Sequence, residues 1–180
     1  DALPPIPIPN GSINAILRGF VARVDTWQTQ GNTYYRVVDY KTGRKEFDYC
    51  DVFNGVGLQM LLYMFALRDS DSDMFQNKAI PAGVQYFPAR APYLSAEGRL
   101  DDQEAEKERL SQWKRKGLLL EDEAVLQAME PGEKPKRMSY SIKSDGSYSG
   151  DLADRDQLKQ LEKYIFKTLS TLVEDLAAGN

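Results

Sequence analysis

Between residues 17 and 41 apolar and polar positions alternate, break at "TQGN", and alternate again. This period of two predicts strands over 17–27 and 33–41, joined as a hairpin. The second is rich in Tyr and Val, which suit a pleated surface. The period then changes. Leu58, Leu61, Leu62 and Phe65 recur at steps of three and four, predicting a helix over 52–67. Gly55 and Gly57 each cost such a helix up to about 1 kcal/mol relative to Ala, which points to a close approach by sheet or ligand. "AGVQYFP" reads as a short third strand ended by Pro88.

Downstream, two charged helices broken at Gly117 are expected, with Leu110, Trp113, Leu119, Val125 and Leu126 facing inward. A short hairpin is expected around "KSDGSY". Leu158, Leu161, Ile165, Leu169, Leu172 and Leu176 mark a long amphipathic helix ending at Gly179. With no internal repeat and no second core, the pattern gives one α/β domain over 13–180, carrying an insertion at roughly 89–150. The opening "DALPPIPIPN", within 1–12, reads as an extended linker into a fragment of a larger protein.

Composition narrows the chemistry. Hydrophobic residues make up 42% and charged residues 28%, an ordinary globular balance. Histidine is absent, which removes Ser-His-Asp and Cys-His nucleophile systems and nearly all zinc sites. What remains is carboxylates, Lys, Tyr and hard oxygen-bound cations such as Mg²⁺ or Mn²⁺. The single Cys50 excludes an internal disulfide, fits a reducing cytoplasm, and reads as a half-buried small apolar residue. No apolar run reaches the roughly 18–20 residues of a membrane span, so no membrane partner is expected. The net charge of −4 argues against broad gripping of nucleic acid but leaves room for a local basic site.

Alternation puts Val37, Asp39 and Lys41 on one strand face, just before the Thr42-Gly43 turn. There Asp39 can bind a divalent cation, the Tyr40 main-chain carbonyl can add a second oxygen, and Lys41 can orient water and counter phosphate charge. The rival is a surface ion pair worth roughly 0–1 kcal/mol. Gln59 and Tyr63, four apart, share a helical face away from the leucine stripe and could contact a phosphate, a base or Lys41. Their rival reading is a solvated amide and a ring covering the helix flank. The basic runs at 114–116 and 134–137 could touch a DNA backbone, though such runs are more often solvated helix ends and loops.

The order of these parts carries more than any one of them. Gly19-Phe20-Val21-Ala22-Arg23-Val24-Asp25, then Val38-Asp39-Tyr40-Lys41-Thr42-Gly43, then Gly55-Val56-Gly57-Leu58-Gln59 onward to Tyr63, resembles the PD-(D/E)XK nuclease superfamily, in its RecB-like branch. The likeness is greatest to the AddB-type nuclease domains of bacterial helicase–nucleases, and it continues through "AGVQYFPARAP", "KGLLLEDEAVLQAME" and the final helix.

That resemblance implies a restriction-endonuclease-like mixed central sheet flanked by helices, with a helical and loop insertion. It implies Mg²⁺- or Mn²⁺-dependent hydrolysis of DNA in double-strand break repair, in the bacterial cytoplasm, beside an AddA-like helicase–nuclease subunit that feeds in a single strand. Asp39, Lys41, Gln59 and Tyr63 take the catalytic positions, with Gln59, Tyr63 and Thr42 toward DNA. Three departures matter. The first-motif metal ligand, an Asp in the family, falls on Ala22, through natural degeneration or deliberate replacement. Asp25 matches the motif's second Asp but sits at odd spacing, so it is a weak metal candidate. The four cysteines of the family's iron–sulfur cluster and an upstream His are unmatched. With Ala22 in place, a non-catalytic DNA-binding or scaffolding module is the alternative. An unrelated small-ligand domain is a third reading.

Overall fold

The structure, a computed structural model, describes residues 5–8, 13–43, 45–68, 79–90, 94 and 98–179. Within the opening stretch, β1 (Ile6–Ile8) pairs antiparallel with β2 (Ala15–Leu17); residues 1–4 and 9–12 of the expected linker lie outside the described residues.

A five-stranded mixed sheet organises the rest. It contains β3 (Arg23–Thr29), β4 (Asn32–Lys41), β5 (Ala79–Pro88), β6 (Leu119–Leu120) and β9 (Leu152–Ala153), in the spatial order β3-β4-β5-β6-β9. The first expected strand is therefore divided, with 18–22 running between β2 and β3. β3 and β4 form the expected hairpin, with Arg23 opposite Val38 and Trp27 opposite Tyr34. β4 pairs parallel with β5, bringing Asp39 opposite Tyr86 and Tyr40 opposite Phe87. β4 is buried through most of its length on both faces, as a central strand between helical layers must be.

The expected helix over 52–67 is two. α1 (Tyr49–Phe53) and α2 (Gln59–Arg68) are separated where Gly55 and Gly57 take φ of 76° and 71°. Side-chain-bearing residues avoid that left-handed region, so the glycines break the helix instead of merely weakening it. α2 is buried from Met60 to Leu62 and from Met64 to Leu67, and the Tyr35 hydroxyl donates to its Met64 carbonyl. α5 (Arg155–Ala178) opens with a capping box of Asp154 and Gln157 and buries Leu158, Leu161 and Ile165 in the same core. Its later Leu172 and Leu176 are exposed, so the expected stripe packs against the core only as far as Leu169.

The stretch expected as an insertion returns to the sheet. α3 (Asp102–Gln112) buries no residue, and Trp113 at its end is exposed, contrary to its inward placement from sequence. The chain then bridges Lys116 to Tyr86 and enters β6, followed by α4 (Glu123–Met129). β7 (Tyr140–Ile142) and β8 (Tyr148–Gly150) form the expected small hairpin, covering a satellite core of Leu119, Leu126, Met138 and Tyr140.

Gly117 lets this return happen. At φ 144° it lies flat on β5, and a Cβ there would strike the Val84 carbonyl oxygen. Flanking bonds from Val84 N–H to the Leu118 carbonyl (2.8 Å) and from Tyr86 N–H to the Lys116 carbonyl (2.7 Å) fix the crossing. Gly117→Ala should lower stability by about 3 kcal/mol, read as the shift in urea midpoint, because strain and overlap coincide. A loss below about 0.5 kcal/mol would contradict the close approach.

Candidate active site

Asp39 and Lys41 project from the end of β4 onto the face that α2 covers further back, where Tyr35 and Val37 are buried. Lys41 Nζ lies 2.5 Å from Asp39 Oδ2, with the two side chains 37% and 24% exposed. The pair is thus at the surface end of the sheet and not sealed within it. Across the parallel ladder, Tyr86 places its ring 5.9 Å from the Lys41 ammonium. Burial, then the nearby Asp39 carboxylate, push the Tyr86 phenol above its ordinary value and keep it protonated.

Position 22 acquires its meaning from the same ladder. β3 and β4 run in continuous register from Thr29–Asn32 to Arg23–Val38. Regular pairing ends at Arg23–Val38, and Ala22 lies in a bend just before β3; continuing the register by one step would bring position 22 beside Asp39. On that continuation a carboxylate at 22 would face the Asp39 carboxylate; the methyl group of Ala22 supplies no donor. Among the described residues no group of three or more His, Cys, Asp or Glu comes together to hold a metal ion. The residues present offer one carboxylate, already salt-bridged to Lys41, so they do not by themselves complete a divalent-cation site.

Asp25 is not placed to replace the missing donor. It stands opposite Arg36, on the other face of the sheet from Asp39. Its Oδ1 accepts from Arg23 Nε at 2.6 Å, and its Oδ2 from Arg36 Nε and Nη2 at 3.0 and 2.8 Å. Burial pushes its pKa up, but the hydrogen bonds from Arg23 and Arg36 outweigh that and hold it below the ordinary carboxylate value. Arg23 also donates to the Tyr40 hydroxyl (2.7 Å), so the Tyr40 ring lies on this far face although its main chain borders Asp39 and Lys41.

Gln59 opens α2, and its Nε2 donates to the Tyr63 hydroxyl at 2.7 Å. The Tyr63 ring leans on the segment before β3: a Cβ on Gly19 would come within 2.5 Å of Tyr63 Cε1. Gly19 therefore admits the aromatic ring, which brings the first and third sequence motifs into contact. Among the described residues neither Gln59 nor Tyr63 hydrogen-bonds to Lys41.

A hollow of about 760 Å³ opens beside Lys41. Thr42, Lys45, Arg90, Lys114 and Lys116 line it, against the acidic Glu46 and Glu108. Lys116 is 3.6 Å from Glu46, an exposed pairing of small worth. The basic run at 114–116 thus contributes two side chains to the groove instead of only a solvated helix end. Sequence alone does not single out Tyr86, Lys45 or Arg90. Each needs the β4–β5 pairing or the path of the following loop to be known. Cys50 is exposed on α1, contrary to the half-buried position expected of it.

Comparison with known proteins identifies the family. A family model described as the PD-(D/E)XK nuclease superfamily matches residues 6–179. The B subunit of the ATP-dependent helicase/deoxyribonuclease of Acetivibrio thermocellus is 37% identical over 182 residues, covering 98% of this chain and 16% of that protein. The protein of the same name from Clostridium kluyveri is also 37% identical, over 183 residues, with the same coverage. That from Clostridium perfringens strain 13 is 33% identical over 178 residues, covering 96% of this chain and 15% of the relative. The chain spans about one sixth of the length of these relatives.

The Asp25 clasp has a pH signature. Its folded pKa is depressed, so its stabilisation is present above the ordinary value of 3.8 and drains away as pH falls through the lower folded value. Asp25→Asn should cost about 1–2 kcal/mol at pH 7 and leave two arginines facing each other. The difference from the parent should hold above pH 3.8 and close only as pH falls through the lower folded value. A destabilisation independent of pH would show that the carboxylate charge is not what holds Arg23 and Arg36.

Proposed function

The chain belongs to the PD-(D/E)XK nuclease superfamily, and from that premise we propose that it is the strand-handling nuclease domain of a helicase–nuclease that processes DNA ends. In this chain the cleavage site lacks one metal ligand. The observation that supports the reading is the β3–β4 register, which ends at Arg23–Val38 and leaves Ala22 and Asp39 as the next positions, near Lys41 and its basic groove. Carboxyl ends of parallel strands are where α/β sheets place their ligands, and β4 and β5 both end here.

In this reading a single DNA strand lies along the groove. Lys45, Arg90, Lys114 and Lys116 take phosphate charge, and Thr42 offers a hydroxyl and a main-chain N–H near the scissile position. Lys41 balances the charge that develops on the phosphate, and the Asp39 carboxylate holds the ammonium in place. Gln59 and Tyr63 brace the entry to β3 and, through it, position 22. With a carboxylate at position 22, that residue and Asp39 would be the groups to hold a divalent cation, which would supply Lewis-acid chemistry at the phosphate. With Ala22 that donor pair is broken, so the chain as it stands holds a strand without cutting it. This is the non-catalytic module anticipated as the alternative, built on a nuclease site.

The relatives' names describe one subunit of an ATP-dependent helicase/deoxyribonuclease. They support a partner subunit of the AddA kind, which unwinds the duplex and delivers the strand, in a bacterial cytoplasm. No described helix is long and apolar enough to cross a membrane. An iron–sulfur cluster requires cysteines from outside this chain, which has only Cys50.

Incubation of labelled single-stranded DNA with Mg²⁺ or Mn²⁺ tests the proposal. The parent chain should leave the strand intact, Ala22→Asp should cleave it, and adding Lys41→Ala to Ala22→Asp should slow cleavage by about a hundredfold or more. Equal cleavage by the parent and Ala22→Asp would overturn the assignment of position 22.

A further inference from the structure

A second hollow, of about 380 Å³, lies on the other side of α3 from the groove beside Lys41. α3 forms a wall between them: Glu108, Ser111 and Gln112 face the groove, while Glu106, Arg109, Leu110 and Trp113 face the second hollow, Glu106 lying 3.7 Å from Arg109 as its exposed partner. Phe87 and Pro88, at the end of β5, border both. Nothing in the catalytic reading uses the second hollow.

Its floor carries an unusual concentration of guanidinium groups. Arg115 stacks on the Phe87 ring with Cζ 4.3 Å from the centroid, and Arg23 and Arg36 approach the same ring at 5.7 Å each. Asp25 pairs with both of the latter two and offsets one of their two charges. Arg115 is tied through its N–H to the Arg137 carbonyl (2.7 Å), which brings a fourth guanidinium to the rim. Among the described residues neither Arg115 nor Arg137 makes an ion pair with a carboxylate. Glu130 lies within electrostatic reach, but its oxygens accept from the N–H groups of Lys136, Arg137 and Met138 at 3.0 to 3.2 Å and are committed to that loop. Burial, then the neighbouring Arg36 and Arg137, lower the pKa of Arg115, the expected mark of a cation held among cations. Like charges gathered without counter-ions cost free energy that a bound anion relieves. Trp113, 42% exposed at the edge of the hollow, adds a flat apolar surface with no partner ring among the described residues.

We infer that this hollow is a second nucleotide subsite, in which Arg115 and Arg137 hold a phosphate of a DNA strand while Trp113 stacks against the attached base. Phosphate plus base, and not phosphate alone, is the ligand that uses both halves of the site. The strand then crosses the end of β5 from the groove beside Lys41 into this hollow, passing over the end of α3. The inference rests on the DNA-strand reading above, and it adds a point of grip on the opposite face of the sheet from Asp39.

Tryptophan fluorescence tests it without any cleavage. Short single-stranded oligothymidylate is titrated into the metal-free chain, into Trp27→Phe, which leaves Trp113 as the only tryptophan, and into Trp113→Phe. Saturable quenching should appear in the parent and Trp27→Phe and vanish in Trp113→Phe. Trp113→Ala, followed by anisotropy of a labelled strand, should bind about tenfold more weakly. Arg115→Gln, and independently the surface pair Arg109→Gln with Arg137→Gln, should weaken binding and lower its salt dependence. The surface pair keeps the test valid if loss of the Arg115–Phe87 stack unfolds the chain. An abasic strand should bind with little quenching, and inorganic phosphate should produce none. Unchanged Trp113 emission with a bound strand would overturn the subsite, and equal quenching by the abasic strand would overturn the base-stacking half of it. Because Ala22→Asp cleavage is a separate readout, failure of that activity with Trp113 quenching intact would fault the nuclease reading alone.

Discussion

The pairing of β4 with β3 on one side and β5 on the other decides which side chains share a face, and everything proposed for the molecule follows from it. A strand has a period of two, so a slip of one residue would exchange the two faces. In the observed register, Asp39, Lys41 and Tyr86 share one face at one end of the sheet, with Ala22 just beyond the last β3–β4 pair, and Asp25, Arg36, Tyr40 and Phe87 lie on its reverse. Burial of Tyr35, Val37 and Val84 against α2 enforces that register from one side. The Asp25 clasp and the packing of Val38 and Gln85 enforce it from the other.

Charge is distributed accordingly. The chain as a whole is acidic, yet in both hollows at the end of β5 the cationic side chains outnumber the acidic ones. Carboxylates on the reverse face are engaged internally, Asp25 on two arginines and Glu130 on three backbone N–H groups. The positive field at these hollows is therefore local and modest in extent. Attraction of a polyanion by a field of this kind would weaken steeply with salt.

Much of this is legible in the residues. The alternation of 33–41 and the turn before it contain the β3–β4 hairpin, and the spacing of Leu158, Leu161 and Ile165 contains the buried half of α5. The motif order points to Asp39, Lys41, Gln59 and Tyr63, and the odd spacing of 22 and 25 puts Asp25 on the wrong face. The misreadings have physical causes. A periodic apolar run hides the break at Gly55 and Gly57, because periodicity does not report φ. Trp113 reads as core because its apolar surface is visible in the sequence and the absence of a facing element is not. The second guanidinium cluster cannot be read at all: Arg23, Arg36, Arg115 and Arg137 are distant in sequence, and only the Gly117 crossing brings the last two to Phe87.

At the centre stands the claim that positions 22 and 39 are two halves of one cation site. Titration of Mn²⁺ into the chain, followed by electron paramagnetic resonance of the free ion, measures this without reference to DNA. Negligible saturable binding is expected of the parent and one site of Ala22→Asp, with return to the parent's behaviour when Asp39→Asn is added to Ala22→Asp. Tight binding by the parent, or a site in Ala22→Asp that survives Asp39→Asn, would contradict it.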